Sequence, residues 1–132
     1  MSEKNVEFVR RMIDAYNRRD LEAMRAGTHP DVEVDWSASR GFEASVYRGW
    51  DEAGRFFGNW FNTFEQIEFK PERFIESGDL VLVPNTAVIR GRDGIETVAR
   101  SCLTYEFREG LISRVCLYQD TDEALEAAGL SE

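Results

Sequence analysis

Few side chains in this sequence could move a proton, and they are scattered. Asp120 closes an apolar run in Tyr118-Gln119-Asp120, where a carboxylate could act as a general base. Glu123 follows three residues on, a spacing that marks a helix N-cap, and the cap reading outweighs the catalytic one. His29, the one histidine, stands in Thr28-His29-Pro30-Asp31. Its ordinary pKa suits proton transfer, but its setting reads first as turn structure. Tyr16 can donate a hydrogen bond and is no base. Glu33 and Asp35 alternate with Val32, Val34 and Trp36, which puts the two acids on the solvated face of a strand. Two cysteines, Cys102 and Cys116, lack metal-ligand spacing and are too few for a disulfide framework. With a single histidine there is no zinc set either, so neither a metal nor a cofactor is expected.

The stronger signal is for binding. Tyr16, Trp36 and Tyr105 each join an apolar ring to a hydrogen-bonding tip, and such groups bury only when the tip finds a partner. Asn85, Ser101 or a polar atom of a ligand could be that partner. Trp60 and Phe64, four residues apart, share one helical stripe and are read equally as core or as ligand wall.

The elements that must position these residues are legible from periodicity. Val6, Val9, Met12, Ile13 and Tyr16 recur at helical steps over 5–17. Asp20 caps a short helix carrying Leu21 and Met24, which Gly27 stops. A strand covers Val32 to Trp36, a polar loop Ser37 to Ala44, and a short strand Val46 to Arg48. Asp51 to Phe64 is an aromatic helix, with Phe56, Phe57 and Phe61 as its core side. Strands follow over 66–76, 80–91, 96–107 and 111–119, separated by turns at Ser77-Gly78-Asp79, Arg92-Asp93-Gly94 and Glu109-Gly110. A helix begins after Asp120, runs through Leu125 and ends at Gly129. Helices first and a meander of long strands after them make an α+β layout.

At 132 residues the chain reads as one domain, 1–132, large enough to bury a core around a pocket. The absence of a long apolar run argues against a membrane span, and the charged start Met1-Ser2-Glu3-Lys4 has no signal-peptide pattern, so the expected location is the cytoplasm. A net charge of −9 argues against a nucleic-acid partner. Five of those charges lie in 120–132, which holds no Lys or Arg, so the remainder is only mildly acidic.

Order and spacing together resemble the SnoaL-like group of the NTF2-like superfamily over nearly the whole chain. The pieces are AYNRRDLEAM, HPDVEVDW, YRGWDEAGRFFGNWF, FIESGDLVLV and YEFREGLISRVCLYQDTDEALEAAG. The resemblance implies a cone: a curved antiparallel sheet wrapped around helices and enclosing an apolar pocket. It also implies that odd-numbered residues of the later strands face inward, while on the first strand Trp36 and with it Val34 and Val32 do. The expected wall is then Met12, Tyr16, Trp36, Trp60, Phe64, Asn85, Ala87, Ser101, Leu103, Tyr105, Leu117 and Gln119. A bulge at Pro84 would turn Asn85 and Ala87 outward. A three-residue turn at Arg108-Glu109-Gly110 would pair Leu103 with Val115, Ser101 with Leu117 and Cys102 with Cys116.

Against the resemblance, the catalytic sets are missing. Where steroid Δ-isomerases carry a tyrosine, an aspartate base and an acidic donor, this chain has Met12, Trp36 and Leu103. Where epoxide hydrolases carry Asp-Arg-Asp, it has Asn85, Ala87 and Leu117. Three readings stay open. The first is a protein binding a small hydrophobic, ring-containing molecule, its chemistry unassigned. The second is an isomerase or cyclase in which Tyr16 or Asn85 polarises a carbonyl and Asp120 or His29 is the base. The third is a non-catalytic interaction module with a cavity filled by Trp36 and Trp60. A homodimer is expected through the outer sheet face, where Leu82, Val88, Val98, Cys102, Thr104, Ile112, Cys116 and Tyr118 would be too apolar to leave in water.

Overall fold

The computed structural model describes residues 2–39 and 44–130. The elements run α1 (Ser2–Asn17), α2 (Leu21–Ala26), β1 (Thr28–Asp35), β2 (Val46–Arg48), α3 (Gly49–Thr63), β3 (Phe64–Pro71), β4 (Ile75–Ser77), β5 (Leu80–Gly91), β6 (Glu96–Arg108), β7 (Leu111–Tyr118) and α4 (Thr121–Ala127). The strands form one curved, unclosed sheet in the order β2-β1-β7-β6-β5-β3, with β4 also pairing to β5. Its pairs are antiparallel except β1 with β7, which run parallel. The expected strand over 66–76 is two strands interrupted at Glu72–Phe74. Residues 40–43 of the expected Ser37–Ala44 loop lie outside the described residues.

Side-chain bonds fix the helices against the sheet. The Asn17 amide donates to the Phe69 carbonyl at 3.0 Å and accepts from the Phe69 N–H at 2.8 Å, capping the edge strand β3 as another strand would. Arg19, in the left-handed region at φ 59°, then reverses the chain. Asp20 caps α2 by accepting from the Ala23 N–H. Arg19 also reaches α3, donating to the Phe61 and Glu65 carbonyls at 2.8 and 2.7 Å, while Arg92 donates to the Asn62 carbonyl. Two arginines therefore satisfy carbonyls that the end of α3 leaves unpaired, and they set where Trp60 and Phe64 emerge.

Inward-facing strand residues build the core. Val81, Val83, Ala87, Leu103, Tyr105, Val115 and Leu117 pack with Val9, Ile13, Phe56, Phe57, Trp60 and Phe61 of the helices. Pro84 makes no bulge: β5 and β6 stay in register from Leu80↔Glu106 to Arg90↔Glu96. The Glu72 N–H donates to the Pro84 carbonyl at 2.8 Å, so the ring nitrogen faces the gap between β3 and β4 and no ladder bond is lost.

The last hairpin corrects two expectations. Its turn has two residues, Glu109 and Gly110, both at positive φ (58° and 79°), and it pairs Arg108 with Leu111. A bulge then leaves Ser113 unpaired, and the register continues as Leu103↔Leu117, Thr104↔Cys116 and Cys102↔Tyr118. Cys102 and Cys116 are thus diagonal neighbours and not a directly opposed pair. The bulge also reverses the facing of Ile112, which joins the core instead of the outer face.

On the outer face α4 lays Ala124 over Leu82 and Cys102, with Ile75, Leu80, Tyr118, Leu125 and Leu130 around them. Much of the apolar surface expected to need a partner is covered by the chain's own last helix. Among the described residues no helix is long and apolar enough to cross a membrane.

Candidate functional site

The concave side of the sheet holds two cavities that share Tyr16 and Trp36. The inner chamber, about 40 Å³, is lined by Met12, Met24, Thr28, Val32, Val34, Trp50, Ala53, Phe57, Leu103, Tyr105, Ile112 and Val115 in addition to the shared pair. It has room for about three water molecules. The outer cleft, about 530 Å³, opens to solvent and is lined by Ser39, Trp60, Phe64, Ile67, Phe69, Ala87, Ile89, Thr97, Ala99, Arg100, Ser101, Leu117 and Gln119 besides the shared pair. Aromatic rings pack along the boundary between the two. Trp36 lies 5.4 Å from Phe56 and 6.0 Å from Trp60 between ring centroids, and Trp60 lies 5.1 Å from Phe64.

Tyr16 sits at the junction. Its oxygen accepts from the Trp60 indole N–H at 2.7 Å, and Phe57, Phe61 and Phe69 surround its ring edge-on at 5.3–6.1 Å. Burial pushes its phenol well above the ordinary range, against small opposing effects from that hydrogen bond and from Arg19. Tyr105 is buried in the inner chamber. Burial, reinforced by Tyr16 and Cys102, pushes its phenol up as well. Both groups are therefore O–H donors throughout the range in which proteins work.

The expected wall divides between the two cavities. Met12, Leu103 and Tyr105 line the chamber; Trp60, Phe64, Ala87, Ser101, Leu117 and Gln119 line the cleft; Tyr16 and Trp36 line both. Asn85 lines neither: its amide donates to the Val83 carbonyl at 2.9 Å and accepts from the Ser101 hydroxyl at 3.1 Å. Gln119 donates to the Ala38 carbonyl at the cleft rim. Sequence reasoning missed Ile112, whose facing depends on the Ser113 bulge, and Trp50, which precedes the expected start of its helix.

The candidate bases lie elsewhere. Asp120 accepts from the Glu123 N–H at 2.8 Å and caps α4. His29 is buried at the far end of β1, where its Nδ1 accepts from the Asp31 N–H at 3.1 Å. Its Nε2 therefore carries the proton and meets Glu109 at 2.8 Å, tying β1 to the last hairpin turn, with Arg108 packed beside the ring. Neither residue lines the chamber or the cleft. No carboxylate or histidine is among the described residues lining either cavity, and Arg100, the one charged group there, is held at the rim by Glu72 at 2.8 Å.

Known proteins agree with this architecture. The SnoaL-like domain model matches residues 9–115. No curated protein matches the chain in sequence. Among solved structures, an NTF2-like protein of unknown function from Burkholderia pseudomallei is 26% identical, with a TM-score of 0.80 over 96% of this chain and 97% of that one. TerC, co-crystallised with polyporic acid, is 23% identical, with a TM-score of 0.78 over 93% and 96%. An LEH-like epoxide hydrolase of Mycobacterium tuberculosis is 18% identical, with a TM-score of 0.74 over 90% and 84%. The last two likenesses are of fold.

Proposed function

We propose, from the premise that this chain belongs to the SnoaL-like domain family, that it binds a small, neutral, ring-containing hydrophobic molecule in the outer cleft. The observation that carries this reading is the cleft's composition. Trp36, Trp60, Phe64, Phe69 and Leu117 wall a space of about 530 Å³, within the range of small-molecule sites, and no carboxylate faces it. Burying a cationic ligand group there would cost several kcal/mol without a counter-charge, and Arg100, the one charged group on the lining, is already paired with Glu72, whereas a ring gains roughly 25 cal/mol for each Å² it buries. TerC, a protein of similar fold, is co-crystallised with a small molecule, polyporic acid.

A binding role accounts for the cavities better than a filled interaction module does, since Trp36 and Trp60 divide the cone without closing it. It also asks for no base: His29 is held by Glu109 at the last hairpin, and Asp120, though next to the cleft residue Gln119, is engaged as the cap of α4. A reducing, cytoplasmic setting and a homodimer belong to the same reading. The two free cysteines support the first.

The test is titration with a hydrophobic fluorescent probe such as anilinonaphthalene sulfonate's uncharged analogue, phenylnaphthylamine. Tryptophan emission should be quenched as probe emission rises. Phe64→Ala, at a half-buried position, should weaken binding severalfold with the fold intact by circular dichroism, and Trp36→Ala should weaken it further. Unchanged affinity in both folded variants removes the cleft as the site.

A further inference from the structure

The inner chamber holds two hydrogen-bond donors that the protein itself does not use. An indole nitrogen can only donate, so the Tyr16–Trp60 bond consumes the Tyr16 oxygen as acceptor and leaves its proton to spend. The Tyr105 hydroxyl, in a residue only 5% exposed, makes no hydrogen bond to any described residue. Thr28, the other polar side chain on the lining, is already spent on the Met24 carbonyl. A donor left without an acceptor there would cost roughly 1–3 kcal/mol, so each hydroxyl offers a hydrogen bond to whatever occupies the chamber, water or ligand.

Resting on the cleft-binding reading, we infer that the chamber is a subsite for a carbonyl oxygen at the end of a ring-bearing ligand: an aryl ketone, aldehyde or quinone. Three features narrow the class. Both phenols stay protonated, so the guest atom must be an acceptor. No charged residue lines the chamber, so a carboxylate or an amine would be stranded there. The chamber's 40 Å³ takes a carbonyl with a methyl group but no ring. The ring stays in the cleft, and the carbonyl passes between Tyr16 and Trp36, the two residues common to both spaces. These donors stand at positions 16 and 105, whereas the resemblance to the steroid isomerases points to positions 12 and 103, here Met12 and Leu103.

Acetylnaphthalene and ethylnaphthalene have nearly the same shape and differ in one oxygen, so their affinities for the wild-type protein, read by tryptophan quenching, isolate the subsite. The ketone should bind roughly tenfold more tightly, the ratio one net hydrogen bond supplies. Its carbonyl stretch should move to lower frequency on binding. Tyr105→Phe should cut the ketone-to-ethylnaphthalene preference to about twofold or less and reverse most of the infrared shift. Equal affinities in the wild type, as a chamber that keeps its water would give, overturn the subsite and leave the cleft standing. A tenfold preference that persists in Tyr105→Phe and Tyr16→Phe alike also overturns it. If neither naphthalene binds, the cleft reading fails first and the subsite with it.

Discussion

Tyr16 and Trp60 meet through a 2.7 Å hydrogen bond that joins α1 to α3 at the point where cleft and chamber touch. The bond lies between buried Trp60 and half-buried Tyr16 among aromatic rings, so water replaces it poorly when it is lost. Tyr16→Phe keeps the ring and removes the hydroxyl, both the acceptor used by Trp60 and the proton it could donate. It should lower unfolding stability by about 1–2 kcal/mol in urea titration, with little change in m-value. A loss below a few tenths would mean that the indole finds another acceptor at no cost.

How much of this was legible beforehand depends on what each feature rests on. Local chemistry carried the helices, since Asp20 and Asp120 cap where their spacing to the following residues implies. The family resemblance carried the facing of Leu103 and Leu117, and two-residue alternation keeps that facing along a strand without a bulge. The Ser113 bulge broke that logic for Ile112: whether a two-residue turn or a three-residue turn forms at Glu109-Gly110 is decided by the strands it joins. The parallel pairing of β1 with β7 spans the length of the chain and leaves no local mark. Nor could the sequence reveal that Tyr16 would accept from Trp60, a contact 44 residues apart that decides which donors remain free.

Arg114 gathers three carboxylates on the outer face: Glu33 at 3.2 Å, Asp35 at 3.2 Å and Glu106 at 3.1 Å. Partial burial works against the Asp35 carboxylate, but hydrogen bonds from Ser37 and the charge of Arg114 outweigh it and hold its pKa below the ordinary value. A depressed folded-state pKa contributes stability above the unfolded value of about 3.9, and that contribution is lost as pH falls through the folded one. Asp35→Asn should therefore cost about 1 kcal/mol at neutral pH, with the gap to wild type closing below about pH 4. A pH-independent difference would assign the effect to packing.

The cysteines give a separate check. Both are free and buried, and burial pushes the Cys102 thiol up to about 11. A thiolate is the reactive form, so little of it exists at neutral pH. The native protein should react with a disulfide reagent slowly at both positions, and the denatured protein should release two equivalents at once. Removing α4, which covers Cys102 but not Cys116, should speed reaction at Cys102 selectively. Fewer than two free thiols after denaturation in a non-reducing buffer would reveal a bond that the diagonal register disfavours.

Assembly is the remaining expectation, and the cover of α4 over one end of the outer face bears on where a second copy would sit. Because α4 covers the Leu82–Cys102 end of the outer face, what stays apolar and open is the far half of the β5–β6 hairpin. There Val88 pairs with Val98, and Val98 is 60% exposed. Arg114 already has its carboxylates within the chain, so it does not call for the partner's. A two-fold contact would then set Val98 against its copy, a self-complementary patch of the kind closed dimers use. We expect a homodimer in sedimentation equilibrium at micromolar concentration. Val98→Asp sits on an exposed position and should leave the monomer's melting behaviour nearly unchanged while weakening the dimer at least tenfold, the cost of facing two carboxylates across an apolar contact. A wild-type monomer removes the dimer altogether, and a dimer indifferent to Val98→Asp moves it to another face.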